Sequence, residues 1–453
     1  MTSLHILPLL CLLSTITFTS SSNPNTITIP LSPLSTKHPS SDPFETLKLL
    51  ASNSITRAHN LKNHKSHVLK TSLHPKSYGG YSIDLKFGTP PQTSSFVLDT
   101  GSTLVWLPCS SHYLCSKCNS FPNTTPNFIP KNSSSSKLVG CTNPKCAWVF
   151  GPNVQSRCQT QNSRTCPPYT VQYGMGSTAG FLLSENLNFP GKTVADFLLG
   201  CSIVSIYQPA GIAGFGRGPE SVPSQMNLTR FSYCLPSHRF DDSSESSDLV
   251  LRIGSSGDGK TNGVSYTPLE KNPSSTKNPA FEVYYYLTVK KIVVGEKRVR
   301  VPRRLLEIDV NGNGGSIVDS GSTFTFMERP IFDLVAQEFE KQVNYTRARE
   351  VEKESGLSPC FVVSGGETAS FPGLTFQFRG GAKMRLPATN YFSLVEKSDV
   401  ACLTIVSDDV AGPGVAGGPA VILGNYQQQN FYVEFDLENQ RFGFRTQGCK
   451  TSV

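Results

Sequence analysis

The sequence predicts an all-β protein built from two duplicated lobes, and three observations carry that reading. The first is a repeat. FVLDTGSTLVW at residues 96–106 returns as SIVDSGSTFTF at 316–326, each a hydrophobic approach, an Asp (Asp99, Asp319), a small hydroxyl residue, Gly, Ser, Thr and an apolar stretch. One D-T-G-S alone reads as a tight turn after a strand. Two copies 220 residues apart, near half the chain length rather than at a solenoid period, read as two copies of one lobe. The second is an echo in matched order: AGIAGFGRG (210–218) places Gly214 115 residues after Asp99, and AVILGNYQQ (420–428) places Gly424 105 residues after Asp319. Glycine in such an apolar strand lets a second chain pass close to the Asp turn. The third is a series of short strand-like runs. YSIDLKF, YTVQY and GFLLSENLNF precede LTFQF, ACLTIV and NFYVEFDL, with GTPP and YGMGS among the turn signals between them. The best helical candidate is RPIFDLVAQEFEKQV, 329–343, where Ile331, Val335 and Phe339 recur at helical spacing.

A chain of 453 residues exceeds one typical core, which suits two units with removable ends. Residues 6–18, ILPLLCLLSTITF, are apolar, too short for a membrane span and followed by small polar residues, so 1–22 reads as a secretory signal although no Lys or Arg precedes it. No second long apolar segment is present, and the ending RTQGCKTSV is polar, so neither a membrane anchor nor a lipid anchor is indicated. The net charge of +8 is concentrated at the front: residues 1–76 carry seven of 41 Lys and Arg but two of 33 acids, leaving 34 against 31 for the rest. A near-neutral body argues against a nucleic-acid partner. Six of the eight His share that front stretch. Residues 23–76 therefore read as a basic propeptide covering an acidic cleft, in preference to a solvated tail.

Of 13 Cys, Cys11 lies in the signal. The even dozen left, Cys109, Cys115, Cys118, Cys141, Cys146, Cys158, Cys166, Cys201, Cys234, Cys360, Cys402 and Cys449, favours six disulfides in an exported chain. The C-S-K-C at 115–118 has no redox strand–turn–helix around it and only His112 nearby, which disfavours a redox or zinc pair. The crowding of Cys over 107–168 reads as a stapled, loop-rich insertion. Sequons at Asn123, Asn132, Asn227 and Asn344 are glycosylation candidates. DVNGNGGSIVD (309–319) opens like a calcium loop, but its twelfth position is Ser320 rather than Glu, so it reads as a hairpin turn delivering the strand of Asp319.

If the repeats pack face to face about a pseudo-twofold axis, Asp99 and Asp319 meet and cannot both stay ionised. One shared proton then splits their titration, and one site holds an acid and a base. A water between them can be deprotonated by one carboxylate as it attacks an amide carbonyl, while the other polarises the oxygen and passes a proton to the leaving nitrogen. That chemistry needs no covalent intermediate, metal or cofactor. Gly101 and Gly321 let backbone N–H groups approach, and Thr100 and Ser320 are placed to bond across the axis.

These paired motifs resemble pepsin-type aspartic peptidases, and most closely the nepenthesin-like plant group, which carries a Cys-rich insertion after the first Asp turn. The resemblance spans about residues 78–449. It implies an all-β, bilobal pepsin-like fold with two pseudo-twofold-related β-barrel-like lobes about a central cleft, an N-terminal lobe over 77–232 and a C-terminal lobe over 233–453. By position it supplies catalytic Asp99 and Asp319, supported by Thr100, Gly101, Ser102, Ser320, Gly321 and Ser322. VQYGMGSTAGFL matches the flap that closes over peptide, with Tyr173 as its aromatic, Gly174 and Gly176 as flexible positions and Trp106 as the partner of that Tyr. Met175 departs from the small or acidic polar residue of many relatives, and Ser320 replaces a frequent Thr. The 134 residues after Asp319 leave no room for the large saposin-like insert of vacuolar plant relatives. Cys360 with Cys402 is the one disulfide pairing expected. The implied function is a secreted, monomeric aspartic endopeptidase working in acid on peptide or protein substrates, preferring apolar residues flanking the cut, held by its own propeptide as inhibitor, and resident in the cell wall rather than the vacuole. The alternative is a catalytically silent binding protein of the same fold, a cell-wall glycosidase inhibitor or a receptor-like protein. Intact Asp99, Asp319, Gly101, Gly321 and Tyr173 favour the enzyme.

Overall fold

The computed structural model describes residues 25–33, 43–62, 79–118, 127–160, 163–173, 176–208, 210–237, 246–255, 257, 259–274, 278–363, 369–395, 399–407 and 417–449. The expected signal, Gly174, Met175 and the sequon at Asn123 lie outside these residues.

The two Asp turns sit on the same local topology. Gln92–Asp99 runs parallel to Gly211–Gly214, which pairs antiparallel with Trp106–Pro108, itself parallel to Lys192–Ile206. In the second lobe Ser316–Val318 runs parallel to Val421–Leu423, which pairs antiparallel with Thr325–Met327, itself parallel to Ile405–Val406. Four strands thus repeat in order and direction, which is the duplication that the sequence echoes predict. Parallel strands hidden on both faces call for unbroken apolar runs, and Ile317, Val318, Val421, Ile422 and Leu423 supply them.

A 15-stranded sheet joins the lobes. Leu228–Cys234 lies between Phe431–Asp436 and Ser247–Ile253, and so runs across the expected boundary at 232/233 inside a sheet to which both lobes contribute. Its fully buried Phe231 stacks on Phe435 at 4.5 Å between ring centroids and meets Phe215 and Tyr285 edge-on. Cys234 forms a disulfide with Cys449, tying the end of the chain to the same seam. The helix predicted at 329–343 forms as Arg329–Gln342, burying Ile331, Phe332, Val335, Ala336 and Phe339.

The front segment is more structured than its charge suggests. Thr26–Pro33 forms a strand between Ser247–Ile253 and Tyr81–Phe87, with Ile27, Ile29 and Leu31 buried. Pro43–Lys62 is a helix whose Leu47, Leu50, Ala51, Ala58 and Leu61 pack on Phe324, Phe326, Tyr284 and Tyr426 of the second lobe.

All twelve remaining cysteines pair, as expected: Cys109–Cys201, Cys115–Cys118, Cys141–Cys158, Cys146–Cys166, Cys234–Cys449 and Cys360–Cys402, the last being the pairing anticipated. The C-S-K-C thiols are therefore joined to each other. The insertion is less irregular than expected, because Pro144–Phe150 and Val154–Thr160 are helices pinned by the Cys141–Cys158 and Cys146–Cys166 bridges. Asn143 caps the first by accepting from Lys145 N at 2.9 Å. Asn132, Asn227 and Asn344 are exposed. The loop before Asp319 is not a hairpin. It leaves a short helix, Arg303–Leu306, and turns on Asp309, whose carboxylate accepts from the N–H of Asn311 and Asn313. Among the described residues no helix is long and apolar enough to cross a membrane.

Because the lobe seam rests on Phe231, replacing it leaves a void that neighbouring rings cannot fill. Phe231→Ala is expected to lower stability by about 3–5 kcal/mol, measured by denaturant unfolding followed by tyrosine fluorescence. Phe181→Ala, which truncates a ring that is 39% exposed, is the control. Equal losses in both variants would show that the seam is not where the stability lies.

Candidate active site

Asp99 ends its strand and Asp319 follows Val318 at the facing position, at 1% and 0% exposure. Burying two carboxylates in one place is unfavourable unless each oxygen is satisfied, and the two turns do this with matching atoms. Gly101 N–H donates to Asp99 Oδ1 at 2.9 Å and Ser102 Oγ to Oδ2 at 2.6 Å. Gly321 N–H donates to Asp319 Oδ1 at 3.0 Å and Ser322 Oγ to Oδ2.

The turns also hold each other. Thr100 Oγ1 donates to Val318 O at 3.1 Å and accepts from Ser320 N at 2.9 Å; Ser320 Oγ donates to Leu98 O at 2.9 Å and accepts from Thr100 N at 3.1 Å. This crossed, fully buried square fixes one carboxylate against the other and shows Ser320 filling its position without loss of a bond. Glycine is required beside it. A Cβ on Gly101 would lie 2.6 Å from Asp319 Oδ1, and one on Gly321 would lie 2.5 Å from Asp99 Oδ1. The echoed glycines act one layer back, where a Cβ on Gly214 would meet the Thr103 backbone at 2.3 Å and one on Gly424 the Thr323 carbonyl at 2.5 Å.

The hairpin of Tyr169–Gln172 and Ser177–Phe189 brings Tyr173 to the same cleft. Tyr173 N–H donates to Gly176 O at 2.7 Å, closing the hairpin end, and the Trp106 indole donates to Tyr173 Oη at 2.7 Å. Burial, and then the nearby Asp99 charge, push the Tyr173 phenol far above its ordinary range, so it stays neutral and can donate. The sequence-derived residues Asp99, Thr100, Gly101, Ser102, Ser320, Gly321, Ser322, Tyr173 and Trp106 therefore all gather at one place.

The residue that sequence reasoning missed is Arg57. From the front helix, 12% exposed, it donates through Nε to Asp319 Oδ2 at 2.6 Å and through Nη2 to Asp319 Oδ1 at 2.9 Å and Asp99 Oδ1 at 2.6 Å. One guanidinium thus serves two carboxylates unequally. Burial raises Asp99, and a single contact with Arg57 does not offset that together with the repulsion from Asp319. Burial acts against Asp319 too, but the forked contact with Arg57, Ser322 and Gly321 N–H outweighs it and holds that carboxyl below its usual range. Lys62, five residues on, is buried and donates to Glu328 Oε1 at 2.6 Å, and Ser54 Oγ accepts from Phe324 N at 2.8 Å. The signal was present: Leu47, Leu50, Ala51, Ser54, Ala58 and Leu61 follow a helical spacing that the surrounding charges and histidines obscure.

Comparison with known proteins agrees with this architecture. Residues 81–255 match the family model described as xylanase inhibitor N-terminal, and residues 284–446 match that described as xylanase inhibitor C-terminal. A probable aspartyl protease of Arabidopsis thaliana is 34% identical over 423 residues, covering 83% of this chain and 84% of its own. The aspartic proteinase nepenthesin-2 of Nepenthes gracilis is 34% identical over 380 residues, covering 83% of this chain and 79% of its own. Among solved structures, edgp superimposes with a TM-score of 0.63 at 18% identity over 94% of this chain and 95% of that one, and soybean basic 7S globulin with 0.59 at 16% over 94% and 99%, which shows the shared fold. The chain belongs to the plant pepsin-like aspartic proteases, all-β and bilobal.

Proposed function

We propose that this chain is the precursor of a secreted aspartic endopeptidase that hydrolyses peptide bonds in acid, with Asp99 and Asp319 as the catalytic pair. The observation that carries the reading is the matched and complete set of bonds around both carboxylates, tied by the Thr100–Ser320 square. With Arg57 withdrawn, two like charges share the space it filled and one proton is held between them. The ionised carboxylate takes a proton from water as that water attacks the amide carbonyl. The protonated one hydrogen-bonds the carbonyl oxygen and relays its proton to the departing nitrogen. Ser102 and Ser322 hold Oδ2 of each carboxylate and the two glycine N–H groups hold Oδ1, so both carboxylates stay aimed at the water. Tyr173 closes the flap side, and Val97 and Ile212 offer apolar walls to side chains flanking the cut.

In the same reading residues 23–76 are the propeptide, and Arg57 is what blocks the pair. The Arg57–Asp319 contact lowers the Asp319 pKa, so its contribution to holding the helix is complete above about pH 4 and is lost as pH falls through the lowered value. Asp99, raised, takes its proton first on acidification. Exposed sequons and six disulfides support export, and a cell-wall location follows from that reading.

Asp99→Asn and Asp319→Asn are each expected to reduce pepstatin-sensitive cleavage of an unfolded protein at acidic pH by about 10³-fold or more with the fold kept, judged by near-UV circular dichroism. Wild-type turnover in either variant would remove Asp99 and Asp319 as the catalytic pair, whereas no cleavage by folded, processed wild type would favour the silent binding protein. The precursor is expected to shorten on incubation below about pH 4 and to remain intact at pH 7, while Arg57→Gln shifts shortening to less acidic conditions. Intact-mass measurement across the pH series checks this, and identical profiles for both proteins would remove Arg57 from the block.

A further inference from the structure

The cavity at Asp99 is mixed in character, with Arg57, Ser54 and Thr323 on its lining. Val97, Ile212 and Tyr173 line it, together with Gln208, which is 4% exposed. Among the described residues no group hydrogen-bonds the Gln208 carboxamide, although its backbone is pinned by Tyr113 Oη donating to Gln208 O at 2.8 Å. The side chain is held under the base of the flap: a Cβ on Gly176 would lie 3.1 Å from Gln208 Cγ. On the other side the front helix lends Asn53 to the same cavity, 7% exposed, with both carboxamide atoms buried and unbonded. About 50 Å³ remains in the cavity, room for water. The lining of the closed cavity therefore includes two carboxamides, one of them lent by the front helix.

We propose that Gln208 is a specificity-determining residue, which makes this cavity select a neutral side chain with its own donor and acceptor, Gln or Asn, at one of the two positions flanking the cut. The inference rests on the endopeptidase reading above. A buried amide left without a partner is costly, so a site that presents one discriminates against an apolar side chain of the same size. Val97 and Ile212 give the cavity apolar flanks, and Asp99 on its lining disfavours an anionic side chain. The other flanking position keeps the apolar preference.

The test is position-by-position cleavage of a peptide library by the acid-processed protein, read as kcat/KM for Gln or Asn against Leu at each flanking position. Wild type is expected to favour Gln or Asn roughly 5- to 100-fold at one position only. Gln208→Leu is expected to reverse that preference at the same position and leave the other unchanged. Gln208→Glu, neutral in acid and of the same shape, is expected to retain it at pH 3 and lose it as the pH rises through the carboxyl's titration. That second variant keeps the test decisive if the Leu variant folds poorly. Cleavage by wild type with an unchanged profile in Gln208→Leu, or with Leu preferred from the start, overturns this proposal alone. No cleavage by folded, processed wild type overturns the endopeptidase reading and this one with it.

Discussion

Two carboxylates buried side by side repel each other and lose their water, and the structure is arranged around making that tolerable. Each turn supplies a backbone N–H and a serine hydroxyl to its own Asp, and each reaches across to hold the other turn through Thr100 and Ser320. Every one of those donors demands close approach, which explains glycine at 101 and 321 and, a layer behind, at 214 and 424. The duplicated four-strand unit places both turns at equivalent depth. The shared sheet and its Phe231–Phe435 stack keep the two units from sliding apart.

Arg57 completes the balance in the closed form. A guanidinium stays charged at every relevant pH, so what can titrate in that contact is the carboxylate side. Its fork is spent on Asp319, which leaves Asp99 with a single bond and a raised pKa. Two equivalent residues in a symmetric frame thus become inequivalent because one asymmetric cation cannot serve them alike.

Much of this was legible in the residues. The paired Asp turns, the echoed glycines, the Trp106–Tyr173 partnership and the even dozen cysteines each carry a local signature, because the chemistry at each point tolerates few residue types. What was not legible depends on distant partners or contradicts local propensity. Pro30 and Pro33 argue against a central strand at Thr26–Pro33; the strand forms because only Leu31 has neighbours on both sides, so the missing donors of Pro30 and Pro33 fall where one side is open. The two short helices of the insertion are too brief for periodicity to show and take their order from disulfides. Arg57 was counted as one charge in a basic stretch, since nothing local announces a partner 262 positions away.

The place of Thr26–Pro33 changes what leaving would mean for the front segment. It is not a strap laid over a finished body but an interior rung, in register with six residues of Ser247–Ile253 and three of Tyr81–Phe87. Detaching it uncovers two hydrogen-bonding edges in the middle of the sheet, and bare edges recruit whatever extended chain is nearest. Under the proposed precursor reading, departure of this segment would be a refolding of the sheet as well as an unblocking of a cleft, and whichever strand filled the gap would become part of the processed architecture.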